Sequence, residues 1–257
     1  MAPLPLIMAG VGKGAPLRWL ENSYLRTYLR GRGIEIGGLW RKFRVPLRTT
    51  VWYVDRLPVD QLAQHYSEVQ GSIIAPDIIA DAESLPFRGL DFIIATHVLE
   101  HLQFPLRALK SWYEGLSPGG VLLLKVPDKR FTFDRNRERT SLQHLVEEFE
   151  HPDRIDVRAH YADWVARVNG RDPDGPEFAQ ELRALMAMNY SIHYHVWTDH
   201  DLREIITYTR SVWHLDWEPL VFWNAHFYRK ETVTLLQKRS DHIPVITKDA
   251  PIVLTPV

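Results

Sequence analysis

Side chains able to do acid–base chemistry gather at a few points of this chain. "PDKRFTFD" brings Asp128, Lys129, Arg130 and Asp134 together just after a long apolar run, and "IHYHVW" carries His193 and His195 with Tyr194 between them. Removing a proton near neutral pH needs a group whose pKa can be brought there, which makes Asp128, His195 and His193 the candidate general bases. Lys129 and Arg130 are candidate positioning charges for an acceptor, with Asp134 and Tyr194 as further substrate contacts. The same loop also reads as an ordinary solvated charged stretch. His97 and His101, one helical turn apart in "THVLEHL", could join His193 and His195 on a divalent ion. Such spacing is common by chance, and no metal is assigned. His144, His151 and His160 fall on amphipathic stretches and read as packed or exposed helix residues.

A second polar set stands where apolar runs end. Gly37 and Gly38 close "GIEIGG", Asp55 closes "TTVWYVD", and Asp81, Ala82 and Glu83 close "DIIADAE". In an open α/β sheet, ligands bind beyond the carboxyl ends of the strands. An acid after the second strand can accept hydrogen bonds from both ribose hydroxyls. The carboxylate of Asp81 can take an adenine amine, with neighbouring backbone amides serving the ring nitrogens. Each feature alone equally describes a turn or cap; in this order they describe an adenosine site.

The elements that must position these residues follow from periodicity. "GIEIG", residues 49–55, the short "DII", "LDFIIAT" and "VLLLKVPD" read as apolar strands, and helical spacing separates several of them. Residues 16–30 form a leading helix, 59–69 a helix, and "HVLEHL" a helix that runs on through "FPLRALKSWYEGL" with a break at Pro105. "SPGG" is a turn. From 129 to 191 the strand rhythm stops, and three amphipathic helices form an inserted cap. Thr198 and Asp201 resemble a capping box before another helix. "SVWHLDWEPLVFW" and "ETVTLLQKR" close the fold as an antiparallel pair, and 241–257 is an extended tail. The alternation implies a parallel, doubly wound sheet in one domain.

Bulk composition narrows the class without choosing within it. The 257 residues and 45% hydrophobic content suffice for one large core. With 31 basic and 32 acidic residues, no global field selects nucleic acid or an anionic membrane. No run approaches the roughly 18 apolar residues of a membrane span. The absence of cysteine excludes disulfides and thiolate chemistry and suits a cytoplasmic location. Trp164, Tyr190, Tyr194, Trp197 and Trp223 could line a pocket for a sugar or planar ligand, though aromatics fill cores as readily.

Taken in order, "IEIGG", "YVD", "DAESLPF", "DFIIATHVLEHL" and "LSPGGVLLLKVPD" resemble the class I S-adenosylmethionine-dependent methyltransferases, most closely the type 11-like group whose fourth strand leads into "HVLEH". The likeness is dense over residues 30–128. It implies a Rossmann-like sheet of seven strands with the last one antiparallel and inserted, and S-adenosyl-L-methionine as cofactor. It further implies that Glu35, Gly37 and Gly38 border the methionine moiety, Asp55 holds the ribose, Asp81, Ala82 and Glu83 frame the adenine, and His97 lies near the amino-acid end. Leu39 and Arg41 depart from the family, which usually has further glycines there. "IEIGGLW", "YVDRL" and the sequence after Pro127 also resemble bacterial methyltransferase-domain proteins associated with glycosyltransferases and surface polysaccharide synthesis. The expected activity is methyl transfer to a hydroxyl or amine of a small molecule, a sugar or glycan among them. A natural-product acceptor is one alternative; a non-catalytic cofactor-binding or scaffold domain in a polysaccharide assembly is another.

Overall fold

The computed structural model describes residues 23–67, 72–228 and 230–239. Residues 16–22 of the expected leading helix and the 241–257 tail lie outside the described residues, and residues 23–26 are helical. Strands β1 (Arg32–Ile36), β2 (Thr50–Asp55), β3 (Ile78–Ile79), β4 (Leu90–Thr96), β5 (Leu116–Pro127), β6 (Trp217–Trp223) and β7 (Glu231–Lys238) form a seven-stranded sheet in the order β3-β2-β1-β4-β5-β7-β6. The first five run parallel, while β7 pairs antiparallel with both β5 and β6. Strand order reverses between β1 and β4, so a cleft opens beyond their carboxyl ends.

The sheet is buried on both faces, which is why its strands lack polar alternation. Along β4, Ile93 and Ala95 join one apolar cluster while Phe92 and Ile94 join another on the opposite face. The first cluster is covered by helices α2 (Pro105–Gly115), α3 (Leu142–Glu150) and α6 (Asp199–Val212), which contribute Trp112, Leu145 and Ile205. Helix α1 (Val59–His65) buries Leu62. Between β5 and β6 in the chain, α3, α4 (Val157–Arg167) and α5 (Pro176–Ala187) form the three expected helices. The last two build a separate cluster of Tyr161, Trp164, Val165, Leu182, Ile192 and Tyr194. The capping box between Thr198 and Asp201 forms, with the Thr198 amide donating to the Asp201 carboxylate at 2.8 Å.

Three local expectations change. No continuous helix leaves β4: His97 takes a left-handed φ of +55° and a single 3-10 turn, Leu99–His101, follows before α2 begins at Pro105. Left-handed backbone cannot continue a right-handed helix, and Pro105 disfavours helical geometry at Phe104. "SPGG" lies within β5, which pairs Leu116 with Leu90 across a register shift. The loop after β5 is not wholly irregular: Lys129–Phe131 and Phe133–Asn136 are 3-10 turns begun by Asp128 and Thr132, whose side chains accept amide hydrogens.

Candidate active site

The carboxyl edge of β1 and β2 is shaped by glycine and acid. Gly37 has φ +64°, and a Cβ there would meet Val98 Cγ2 at 3.0 Å, so the turn itself calls for glycine. Gly38 is different: a Cβ would lie 3.5 Å from Tyr53 Cδ1 and 3.6 Å from the Glu35 carboxyl, ordinary contact distances. Nothing in the protein demands glycine there, which fits close approach of a ligand to bare backbone. Leu39 takes φ +36°, and the Arg41 amide donates to the Gly38 carbonyl at 2.8 Å, so the loop turns sharply where the family has glycine. Glu35 is buried, and its carboxylate accepts the Phe43 amide on both oxygens at 3.0 Å. Burial pushes its pKa up to about 7, against the pull of that amide and of Lys42.

Asp55 ends β2 with its carboxylate accepting the Arg56 amide at 2.7 Å, and burial raises its pKa. The adenine-side trio is partly occupied by its own fold. Exposed Asp81 accepts the Glu83 amide at 2.8 Å, and the Ala82 carbonyl accepts the Trp112 indole N–H at 2.8 Å. The Glu83 carboxylate accepts the Phe104 amide at 2.9 Å, capping α2.

Beyond β4 lies an acid–imidazole centre. Glu100 is fully buried and paired with His97, whose Nδ1 lies 3.4 Å from Oε1. His101 and His193 meet edge to face with ring centroids 4.6 Å apart. The Glu100, His101 and His193 ligand atoms all lie within 4.8 Å of one another. His101 Nδ1 faces the Ile192 carbonyl at 3.0 Å and His193 Nδ1 faces Asp134 Oδ2 at 2.7 Å. Both partners only accept, so each Nδ1 carries the hydrogen and each Nε2 presents a lone pair. Asp134 is in turn paired with buried Arg137 at 2.9 Å, and Arg137 also donates to the His193 carbonyl. Burial drives the His101 pKa down to about 4. Burial opposes protonation of His97 too, but its hydrogen bonds to Glu100 and Glu231 prevail and lift its pKa to about 10.

The remaining sequence candidates are placed elsewhere. Asp128 is fully buried, holds the Arg130 guanidinium through both oxygens at 2.9 and 2.6 Å, and accepts the Asp199 amide. Its lone pairs are committed to fixing the loop onto α6, which does not suit a base. Arg130 also pairs with Asp199, and Lys129 Nζ donates to the Arg135 carbonyl at 3.1 Å. His195 has no exposure, stacks on Trp197, and burial takes its pKa down to about 3. The four imidazoles weighed as one set are divided: His101 and His193 share one cluster, His195 belongs to another with His144 and His160, and His97 is in neither. Of the aromatic set, Trp197 lies in the sheet core, Trp223 packs on the opposite face, and Trp164, Tyr190 and Tyr194 belong to the helical cluster.

Comparison with known proteins decides the family. The sequence pattern described as "Methyltransferase domain" matches residues 29–207, from the start of β1 into α6. The chain belongs to the methyltransferase domain family. That membership supports S-adenosylmethionine as the methyl donor, the cofactor that the resemblance implies. No curated protein matches the chain. Among solved structures, the CurJ carbon methyltransferase is 18% identical over 82% of this chain with a TM-score of 0.42, and this chain spans half of that one. A Methanosarcina mazei SAM-dependent methyltransferase is 17% identical over 84% of this chain and 97% of its own, with a TM-score of 0.43. A Rhodobacter sphaeroides protein described as a zinc-dependent alcohol dehydrogenase reaches a TM-score of 0.51 at 11% identity, over 86% of this chain and 90% of its own.

Several residues of this methyltransferase escaped sequence reading. Glu100 was not singled out, though it is the one acid between Asp91 and Glu114. Asp77 fixes the β2 edge by accepting the Tyr53 amide at 2.8 Å, and Phe133, half exposed, leans on His193 with centroids 4.9 Å apart. Arg137 had only its place in a charge-rich loop. No helix among the described residues is long and apolar enough to cross a membrane.

Proposed function

We propose that the protein transfers the methyl group of S-adenosylmethionine to a hydroxyl of a small polar acceptor, such as a saccharide, held against Glu100, His101 and His193. One observation supports this reading: the buried Glu100 carboxylate gathers with a ring nitrogen from each of His101 and His193, all within 4.8 Å of one another, just after β4 at the switch point. Such a set fits a divalent cation, with His101 and His193 each anchored from behind by a carbonyl or carboxylate. A cation bound there would lower the pKa of an acceptor hydroxyl and orient it.

The chain's own residues supply the rest. Gly37 and Gly38 admit the methionine end, Glu35 fixes the loop beneath it, Asp55 takes the ribose hydroxyls, and Asp81 with the backbone at Ala82 and Glu83 lies along the adenine. His97, protonated at neutral pH, stands between Glu100 and Glu231 on the amino-acid side. In the displacement the acceptor oxygen bonds to the methyl carbon as the carbon–sulfur bond breaks, leaving a neutral thioether. Phe133 offers the acceptor an exposed ring against His193. The buried centre of Glu100, His101 and His193 favours this over a scaffold role, which has no use for it.

The test is methyl transfer from labelled cofactor to a panel of saccharides, nucleotide sugars, phenols and amines, with Glu100→Gln and a chelator as controls. Turnover of one hydroxylated class should fall about 100-fold or more in Glu100→Gln with cofactor binding unchanged. Equal turnover in the variant removes Glu100 from the reaction, and indifference to the chelator removes the cation.

A further inference from the structure

Away from the cofactor edge, three imidazoles converge on another carboxylate. Helix α3 presents His144 and Glu148 one turn apart on one face, α4 supplies His160, and the segment returning to α6 supplies His195. Glu148 Oε1 lies 3.0 Å from His144 Nε2 and 2.8 Å from His160 Nε2, while Oε2 lies 3.4 Å from His195 Nε2. That Nε2 is also 3.2 Å from the Gln103 carbonyl. His144, Glu148 and His160 line a cavity of about 780 Å³.

Hydrogens alone leave this cluster short. His160 Nδ1 stands 3.0 Å from the Tyr194 carbonyl, which can only accept, so Nδ1 carries the hydrogen. In a neutral ring, Nε2 then turns a bare lone pair on the Glu148 carboxylate. Glu148 Oε2 and His195 Nδ1 are both buried without a hydrogen-bond partner, and His195 has no exposure at all. A buried carboxylate oxygen is ordinarily satisfied, and a cation between these imidazoles and Glu148 would satisfy it. Two ligands on a tetrahedral ion with bonds of about 2.0–2.1 Å stand roughly 3.3 Å apart, close to the spacing around Glu148.

We propose that His144, His160, His195 and Glu148 form a four-ligand site for a divalent cation of the zinc class, which ties α3 and α4 to the return segment. Imidazole with one carboxylate suits zinc over magnesium or calcium, and His160 already has the carbonyl support behind it that metal-bound histidines use. The site shares no ligand with the Glu100 centre, and it stands or falls independently of methyl transfer. Its position makes it structural: it fastens two helices of the 129–191 segment to the strand of chain that also carries His193.

The experiment measures zinc bound per chain, and its affinity, on the full-length protein after chelation and zinc reloading. Wild type, Glu100→Gln, His144→Ala and Glu148→Gln are compared, with circular dichroism confirming the fold of each. His144 is half exposed, so its truncation leaves the core intact. One zinc equivalent should survive in Glu100→Gln and weaken at least about 100-fold in His144→Ala, with a matching loss of zinc-dependent thermal stabilisation. An equivalent retained at full affinity in both His144→Ala and Glu148→Gln overturns the proposal. So does the absence of any zinc that survives Glu100→Gln, since a proton rather than a metal would then hold the cluster.

Discussion

Glu35, next to last in β1, holds the glycine loop through the Phe43 amide, and burial leaves it poised to bind a proton. A carboxyl whose folded pKa rises from 4.5 to about 7 binds more protons folded than unfolded. Its contribution is therefore most favourable below the unfolded value and is lost as pH climbs through that window. Unfolding free energies of wild type and Glu35→Gln, from denaturant titrations across pH 4–8, should diverge in the variant's favour over this range by an amount on the order of 3 kcal/mol. A constant gap would show Glu35 titrating normally. For Asp55, the ribose reading predicts that Asp55→Ala weakens cofactor binding by roughly 10–100-fold for each charged hydrogen bond lost, read by titration calorimetry, with little change in melting temperature. That Gly37 and Asp55 stand at strand ends was legible because that setting is local. His144 and His160 were not, since their partners Glu148 and His195 come from segments brought together only by tertiary folding. Asp128 misled for a related reason: its place after β5 is right for chemistry, but its two-residue return to Arg130 cannot be seen without coordinates.

Among the elements, α2 depends on a side chain that the sequence assigns to the adenine. Glu83→Ala removes the acceptor of the Phe104 amide and should cost about 1 kcal/mol, lowering the melting temperature by roughly 2–4 °C. If cofactor affinity falls more than stability accounts for, Glu83 also serves the ligand. The loop after β5 hangs on Arg137, which joins Asp134, Asp163 and the His193 carbonyl. Arg137→Leu leaves Asp134 buried without its counter-charge and should destabilise by about 3–5 kcal/mol in denaturant unfolding. Strands and most helices could be read because a two-faced sheet writes apolar runs and amphipathic helices write a 3.6 period. The turn after β4 could not, because "HVLEHL" has helical periodicity while a single φ at His97 redirects the chain.

Across the whole molecule, the apolar interior falls into two clusters flanking the sheet and a third within α4, α5 and the return segment. Amides of α4 and α5 should therefore exchange with solvent through smaller openings than those of β4 and β5, and native-state hydrogen exchange would resolve them as separate units. Topology was readable from the alternation of elements, whereas the third cluster's independence rests on which aromatic faces meet. The placement of β7 has a consequence for synthesis. The free edge of β5 is matched only by residues Glu231 to Gln237, although β5 itself is complete at Pro127. At about 5–20 residues per second, the ribosome takes roughly 5–20 s to make the intervening hundred or so residues. Throughout that interval a strand whose last eight residues are all buried in the finished sheet carries an unpaired edge, so the emerging chain is a customer for chaperones until β7 has been made.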